Sequence, residues 1–241
     1  MTSSVLSISN FGLMLAFIPA AIVIGIMFRW KANPNSAMYA TVRMFIQLMA
    51  IGYVLIYIFE SDNYWVILAV LTVMLTVASW IAIRPIKPKK PSTYRNALIS
   101  ITVGGVPILV LVSQGVINVE PWFSPRYLVP LAGMIFAGSM NAVSLAAERF
   151  QSERSRGLTY EDARRVALQA ALIPTINSLF AVGLVSLPGM MTGQILSGVS
   201  PLVAAKYQMV VMTMLFGATG ISAATYLMLN KTPSHIISNR L

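Results

Sequence analysis

The sequence predicts an all-α polytopic membrane protein, on three observations. Of its 241 residues, 57% are hydrophobic and 10% are charged, against roughly 45–50% and ~25% in ordinary globular domains. Too few charges remain to cover a water-facing surface, which excludes a cytosolic enzyme or a disordered tail. The apolar residues are gathered into runs long enough to cross a ~30 Å hydrocarbon core as helices, without the ~10-residue alternation of barrel strands. Finally, when the runs are threaded back and forth, all of the 17 Lys and Arg except Arg126 and Lys206 fall on one side.

About seven transmembrane helices are expected. The first, Ile8–Phe28, has no basic residue before it and Arg29 and Lys31 after it, which suits an N-out span rather than a removable leader. The second, Ala37–Phe59, holds Arg43, the one charge inside any run; its stem is long enough to reach the nearby headgroups. The third, Tyr64–Ile83, is followed by RPIKPKKPSTYR (84–95), with Pro85, Pro88 and Pro91 at every third position. That spacing suits an extended polyproline-like segment against anionic headgroups, or a solvated basic loop that sets topology. The fourth and fifth are Ala97–Ile117 and Tyr127–Ala147.

Residues 148–172 form the longest polar connection. Within it Thr159-Tyr160-Glu161-Asp162 has the form of a helix-start box, and Glu161 and Arg165 are spaced to pair on one face. Ala163, Val166, Ala167 and Ala170 give the same short helix an apolar face. It can lie in another protein's groove or simply extend the sixth span. That sixth run, Ile173–Gly198, sits in an uncharged stretch (166–205) too long for one straight crossing. Pro174 and the Pro188–Gly189 pair divide it, so a broken or re-entrant helix is expected. Tyr207–Leu229 is the seventh.

The basic residues give the orientation: N-terminus outside, C-terminus cytoplasmic. The net charge of +10 is therefore a topology signal, and no nucleic-acid partner is expected. Trp30, Trp65, Trp80 and Trp122 all stand near span ends, where interfacial aromatics belong. No internal repeat supports an inverted-repeat transporter. The chain reads as one transmembrane domain, 1–241.

Much chemistry is excluded. The chain has no Cys, and its single histidine, His235, lies in the polar tail beyond the last span. No carboxylate lies within a span, so dyads, triads and zinc clusters are missing. Gly-Lys never occurs, so the chain has no P-loop of its own. A retinal protein would need a Lys deep in the last helix, whereas Lys206 and Lys231 stand at its edges.

What remains at membrane depth is neutral and polar: Gln47, Asn141, Thr175, Asn177, Gln194 and Gln208. Such groups either join helices or line a pathway. Asn141 lies roughly 10 Å above the inner boundary and Asn177 roughly 6 Å in on the next helix, at 1.5 Å per residue, so the two amides could meet. The run Leu187-Pro-Gly-Met-Met-Thr-Gly-Gln194 combines Pro188, the glycines Gly189 and Gly193, and the thioethers of Met190 and Met191. It reads as a hinge or ligand-facing break, or as close helix packing through its glycines. The candidate path or gate is therefore Gln47, Asn141, Thr175, Asn177, Pro188, Gly189, Met190, Met191 and Gln194, with Met190 and Met191 as possible metal ligands.

Four stretches, FIQLMAIGYVLIYIF (45–59), SMNAVSLAAERF (139–150), LIPTINSLFAVGLVSLPGMMTGQILSGVSP (172–201) and YQMVVMTM (207–214), resemble the FetB-type iron-export ABC permeases, with the bacterial-type plant aluminium-tolerance permeases as relatives. The resemblance covers most of the chain, and PGMMTGQ is its most specific block. It implies a permease subunit in a bacterial plasma (inner) membrane, working as a permease homodimer with two copies of an ABC ATPase subunit. The ATPase would bind ATP and Mg; no cofactor is expected in this chain. The resemblance also makes 148–172 the ATPase-coupling loop, with Arg149, Arg154, Arg156, Glu161, Arg164 and Arg165 as its contact residues. The loop is shorter here than the family's, and its Leu-Gly-Ala triplet is missing. Iron export is the implied function, although the spans hold no carboxylate, Cys or His for a hard or borderline cation. The alternatives are an ABC permease for a sugar nucleotide or other organic solute, and a non-transporting receptor or scaffold.

Overall fold

The computed structural model describes residues 8–87 and 90–231; His235, Arg240, Pro88 and Lys89 lie outside them. The chain divides into two compact units, Met1–Glu60 and Ser61–Leu241. The first contains α1 (Asn10–Leu15), α2 (Ile18–Arg29) and α3 (Pro34–Phe59). Ser9 caps α1, its hydroxyl accepting from the Gly12 amide at 3.0 Å. The turn between α2 and α3 holds Lys31 and Asn33 at φ 55° and 53°, and Pro34 then fixes the start of α3. Phe17 meets Phe45 edge to face at 6.1 Å. No residue of α1 or α2 is buried, as expected of helices that are apolar on every side and face lipid or another protein.

The second unit is built from α4 (Tyr64–Ala82), α5 (Pro91–Val110), α6 (Pro125–Ser155), α7 (Tyr160–Ala181), α8 (Gly189–Leu196) and α9 (Pro201–Leu229). Asn63 caps α4 through a 2.9 Å bond from the Trp65 amide. Pro91, Pro125 and Pro201 occupy the first positions of α5, α6 and α9, where a missing N–H costs nothing. Helix formation at Pro91 also corrects the extended reading of the basic loop: its last residues, Pro91–Arg95, are already the first turns of α5.

Inside α5, Pro107 has no N–H to return to the preceding turn. The ladder widens into a π turn over Leu111–Val116, where the Ile117 amide bonds the Val112 carbonyl at 2.9 Å.

Helices α6 and α9 are central: α6 touches α4, α5, α7 and α9, and α9 also touches α5, α7 and α8. The crossings are made by small residues, which let backbones approach where water supplies no driving force. A Cβ on Gly104 of α5 would meet the Ser222 side chain and come within 2.6 Å of the Ser222 amide and 2.9 Å of the Ala218 carbonyl on α9. One on Gly105 would come within 3.0 Å of Ile135 on α6. Ser139 of α6 donates to the Ala218 carbonyl at 3.3 Å.

Among the described residues, six helical stretches are long and apolar enough to cross a membrane: 10–29, 34–59, 64–82, 91–116, 125–155 and 201–229. The remaining expected crossing is α7 followed by a break and α8. At 1.5 Å per residue α7 spans about 33 Å, but its first two turns are charged, so its apolar part is too short to count as a seventh continuous span. The break falls at Val182–Pro188 only. Pro174, expected to divide the run as well, lies inside continuous helix.

Candidate translocation site

Helix α7 lies antiparallel to α9. At its start, the Tyr160 hydroxyl donates to the Leu227 carbonyl at 3.0 Å. Further on, Ala163, Ala167 and Ala171 are buried, the last two in a cluster with Ala142, Ala146, Ala223 and Leu227. The continuation of that same face, Pro174, Thr175, Ser178 and Val182, withdraws from its neighbours and leaves a cavity of about 450 Å³. Asn141 and Met134 of α6, Gln208, Met212 and Thr219 of α9, and Pro188, Gly189 and Met190 at the start of α8 complete its walls.

The cavity therefore gathers Asn141, Thr175, Pro188, Gly189 and Met190 from the sequence set. It does not include Asn177, Met191 or Gln194. Asn177 lies two positions from Thr175, about 200° around the helix, and is exposed. The two amides expected to meet do not face each other; Thr175 shares the cavity with Asn141 instead. Gln47 belongs to the first unit. With its amide oxygen turned to the guanidinium, it accepts from Arg43 Nε and Nη2 at 3.3 Å each.

Met134 and Met212 are additions from the structure, and Gln208, a membrane-depth polar group of the sequence left out of the candidate path, joins them. Gln208 is 4% exposed, and its carbonyl oxygen has no hydrogen-bond partner among the described residues. Its spacing to Val211, Met212, Leu215 and Thr219 marks one helical face, a signal the sequence contained. No charged side chain lines the cavity, and no cluster of His, Cys, Asp or Glu able to hold a metal occurs among the described residues. What the walls offer is amide and hydroxyl oxygens and three thioethers.

The break beside it satisfies the amides of Gly183 to Ser186 within its own turn. The Ala181 carbonyl accepts from the amides of Leu184, Val185 and Ser186 at 3.2, 2.8 and 3.1 Å, and the Gly183 amide bonds the Ser186 carbonyl at 2.9 Å. Gly183 has φ 83°, a left-handed conformation that glycine adopts without steric cost. A Cβ on Gly189 or Gly193 would meet nothing within 4 Å, so these glycines do not serve helix packing within the described residues.

The polar connection is shorter than the sequence suggests. Helix α6 runs to Ser155 and α7 starts at Tyr160, so residues 148–172 are two helix ends around a tight turn. Thr159 caps α7, accepting from the Asp162 amide at 3.2 Å and donating to its carboxylate at 2.8 Å. Arg165 pairs with Asp162 at 3.1 Å rather than with the expected Glu161, because the capping carboxylate is already fixed beside it. Glu153, 5% exposed, is held by Arg149 at 2.7 Å and Arg156 at 3.4 Å. Arg154 donates to the Leu158 carbonyl at 2.7 Å. Tyr160 stacks edge on Phe150 at 5.9 Å, with Arg164 5.4 Å from its ring centroid. Since the alanine face is consumed internally, it is not free to enter a partner's groove. Glu161, Arg164 and Arg165 are what α7 leaves exposed at this end.

A bundle of apolar helices with polar groups gathered beside a broken one defines a multi-pass, all-α membrane protein. The chain belongs to the Uncharacterised protein family (UPF0014), whose model matches residues 8–157 and 154–232. The two matched segments meet at the α6–α7 turn, where the loop is short. The "Probable iron export permease protein FetB" of Escherichia coli (strain K12) is 35% identical over 244 residues, covering 93% of this chain and 92% of that protein. The "UPF0014 membrane protein slr1647" of Synechocystis sp. is 36% identical over 223 residues, 85% of this chain and 84% of that one. The "Protein ALUMINUM SENSITIVE 3" of Arabidopsis thaliana is 34% identical over 204 residues, 78% of this chain and 72% of that one. No solved structure matches the chain.

Proposed function

We propose that this chain is the membrane-spanning permease subunit of an ABC exporter, moving iron or another metal out of the cytoplasm across a bacterial inner membrane. It would act as a homodimer with a separate ATPase that binds ATP and Mg. The observation that carries this reading is the cavity beside the α7–α8 break, which gathers Asn141, Thr175, Gln208 and Met190 on an otherwise apolar path. The similarity to a protein named as an iron export permease over nearly the whole chain supports metal as the cargo. The neutral walls disfavour a sugar nucleotide, whose phosphates would find no cation. Amide, hydroxyl and thioether donors instead suit a cation that must leave again, since conduction needs weak sites.

In this reading the exposed first turn of α7 meets the ATPase, and closure of the ATPase biases one of two helix packings. The test is reconstitution of permease and ATPase in vesicles, with ATP-dependent movement of radioactive iron as the readout. Movement of iron or a related first-row metal is expected; ATP-dependent activity with no metal movement overturns the cargo. Reversing both exposed charges, Arg164→Glu with Arg165→Glu, should reduce ATPase co-purification severalfold. Unchanged co-purification removes the docking assignment.

A further inference from the structure

The basic segment after α4 has a second use that permease function does not absorb. Where α5 begins and α9 ends, a cavity of about 660 Å³ brings together Lys90, Arg95 and Lys231 with the hydroxyls of Ser92 and Thr93. Among the described residues, no carboxylate lines it. None of the three cations forms an ion pair among the described residues, where the ion pairs are made by Arg149, Arg156 and Arg165; the Lys231 ammonium lies 5.8 Å from the centroid of the Tyr160 ring. Like charges brought together repel unless an anion sits between them.

The cavity is a built feature of the fold. Asn96, 8% exposed, forms part of its wall, and its amide donates to the Leu229 carbonyl and to Asn230 Oδ1, both at 3.4 Å. It thereby ties the segment carrying Lys90 and Arg95 to the one carrying Lys231. Ile99, one turn further into α5 than Arg95, and Leu229 at the end of α9 add exposed apolar side chains at the margin of the membrane-spanning helices. Cations and hydroxyls at one level and exposed hydrocarbon at the next match an amphiphile with an anionic head.

We propose that this cavity binds the phosphate headgroup of an anionic phospholipid in the leaflet at the basic end, with its acyl chains along Ile99 and Leu229. Basic pockets between helices on the cytoplasmic side hold lipid headgroups in this manner. A phosphate could also come from solution, but a free anion would make no use of these apolar side chains.

The test uses the delipidated full chain in neutral detergent, with bound lipid counted by native mass spectrometry during titration with dioleoylphosphatidylglycerol or dioleoylphosphatidylcholine. One saturable phosphatidylglycerol and no comparable phosphatidylcholine are expected. At roughly fivefold per basic residue, the combination Lys90→Gln, Arg95→Gln and Lys231→Gln should weaken binding by about a hundredfold. Arg29→Gln with Arg84→Gln, outside the cavity, should change it little. Should the triple variant unfold, Arg95→Gln and Arg95→Lys replace it, with loss expected in the first and retention in the second. Undiminished binding by the cavity variants, or an equal loss in the control pair, overturns the site. Displacement of the lipid by millimolar inorganic phosphate overturns the lipid assignment in favour of a soluble anion.

Discussion

Replacing Gln208 by Leu separates stability from transport at a single atom. The Gln208 carbonyl oxygen is buried against the cavity without a hydrogen-bond partner among the described residues. A buried polar group left unsatisfied costs about 1–3 kcal/mol, and an apolar replacement of similar shape removes that cost. Leu is close to Gln in volume, and the Val211, Met212 and Leu215 side chains beside the cavity present apolar surface to it. Gln208→Leu should therefore raise stability by on the order of 1–2 kcal/mol. At about 2–4 °C per kcal/mol for a chain of this size, the melting midpoint in detergent should rise by roughly 2–8 °C. ATP-dependent metal transport should fall, because an oxygen facing the cargo has gone. The assay is thermal unfolding of purified wild type and variant, paired with vesicle transport. A lower melting midpoint would mean that the oxygen serves as helix glue, and would refute its assignment to a path. Unchanged transport would refute its role toward the cargo.

Gly104→Ala should destabilise the protein by about 1–3 kcal/mol, the usual cost of overpacking a close contact, because the new methyl meets the Ser222 side chain and backbone atoms of α9. Gly189→Ala, which meets nothing within 4 Å, should leave the melting midpoint of the monomer within a degree or two, and the same thermal assay reads both. Tyr160→Phe keeps the ring contacts to Phe150 and Arg164 but loses the bond to the Leu227 carbonyl. It should cost about 1 kcal/mol and speed hydrogen exchange near the α6–α7 turn.

The spans were legible because hydrocarbon imposes length and composition together. Local chemistry gave the Thr159 cap and the break ahead of Gly189, since both depend on neighbouring residues. Pro174 misled because a proline removes one ladder bond but does not end a helix whose preceding turns are held by the packed seam of Ala163, Ala167 and Ala171. That seam also sets the phase of α7. Carried forward at the same spacing it selects Thr175 and Ser178 and passes over Asn177, so the choice between two polar residues was present in the pattern once the buried face was known. The Gly104–Ser222 crossing was not legible. Each residue is ordinary in its own helix, and only the pairing of α5 with α9 gives it meaning.

One helix connects the two ends of the proposed mechanism. Helix α7 presents Arg164 and Arg165 at its start, forms the cavity wall with Thr175 and Ser178, and stops at Val182 where the break begins. Its lower half is packed through alanines against alanines of α6 and α9. Such a seam is mostly small side chains, with Leu227 its one large fully buried member, so a small slide along the alanines forfeits little dispersion energy. What fixes its position is specific instead: the Tyr160 bond to the Leu227 carbonyl of α9, and the edge contact of the Tyr160 ring with Phe150 of α6. Contacts of that kind are worth about 1 kcal/mol each, and reversing a two-state equilibrium from 1:99 to 99:1 takes about 5.5 kcal/mol. A docking protein would therefore need only a few charged contacts on the first turn of α7 to exchange one packing for the other. The break, whose amides from Gly183 to Ser186 bond to carbonyls within its own turn, could then move with α7 as a unit with those bonds kept. A shortened α6–α7 turn suits that role, since a tight connection passes displacement to the helix instead of absorbing it.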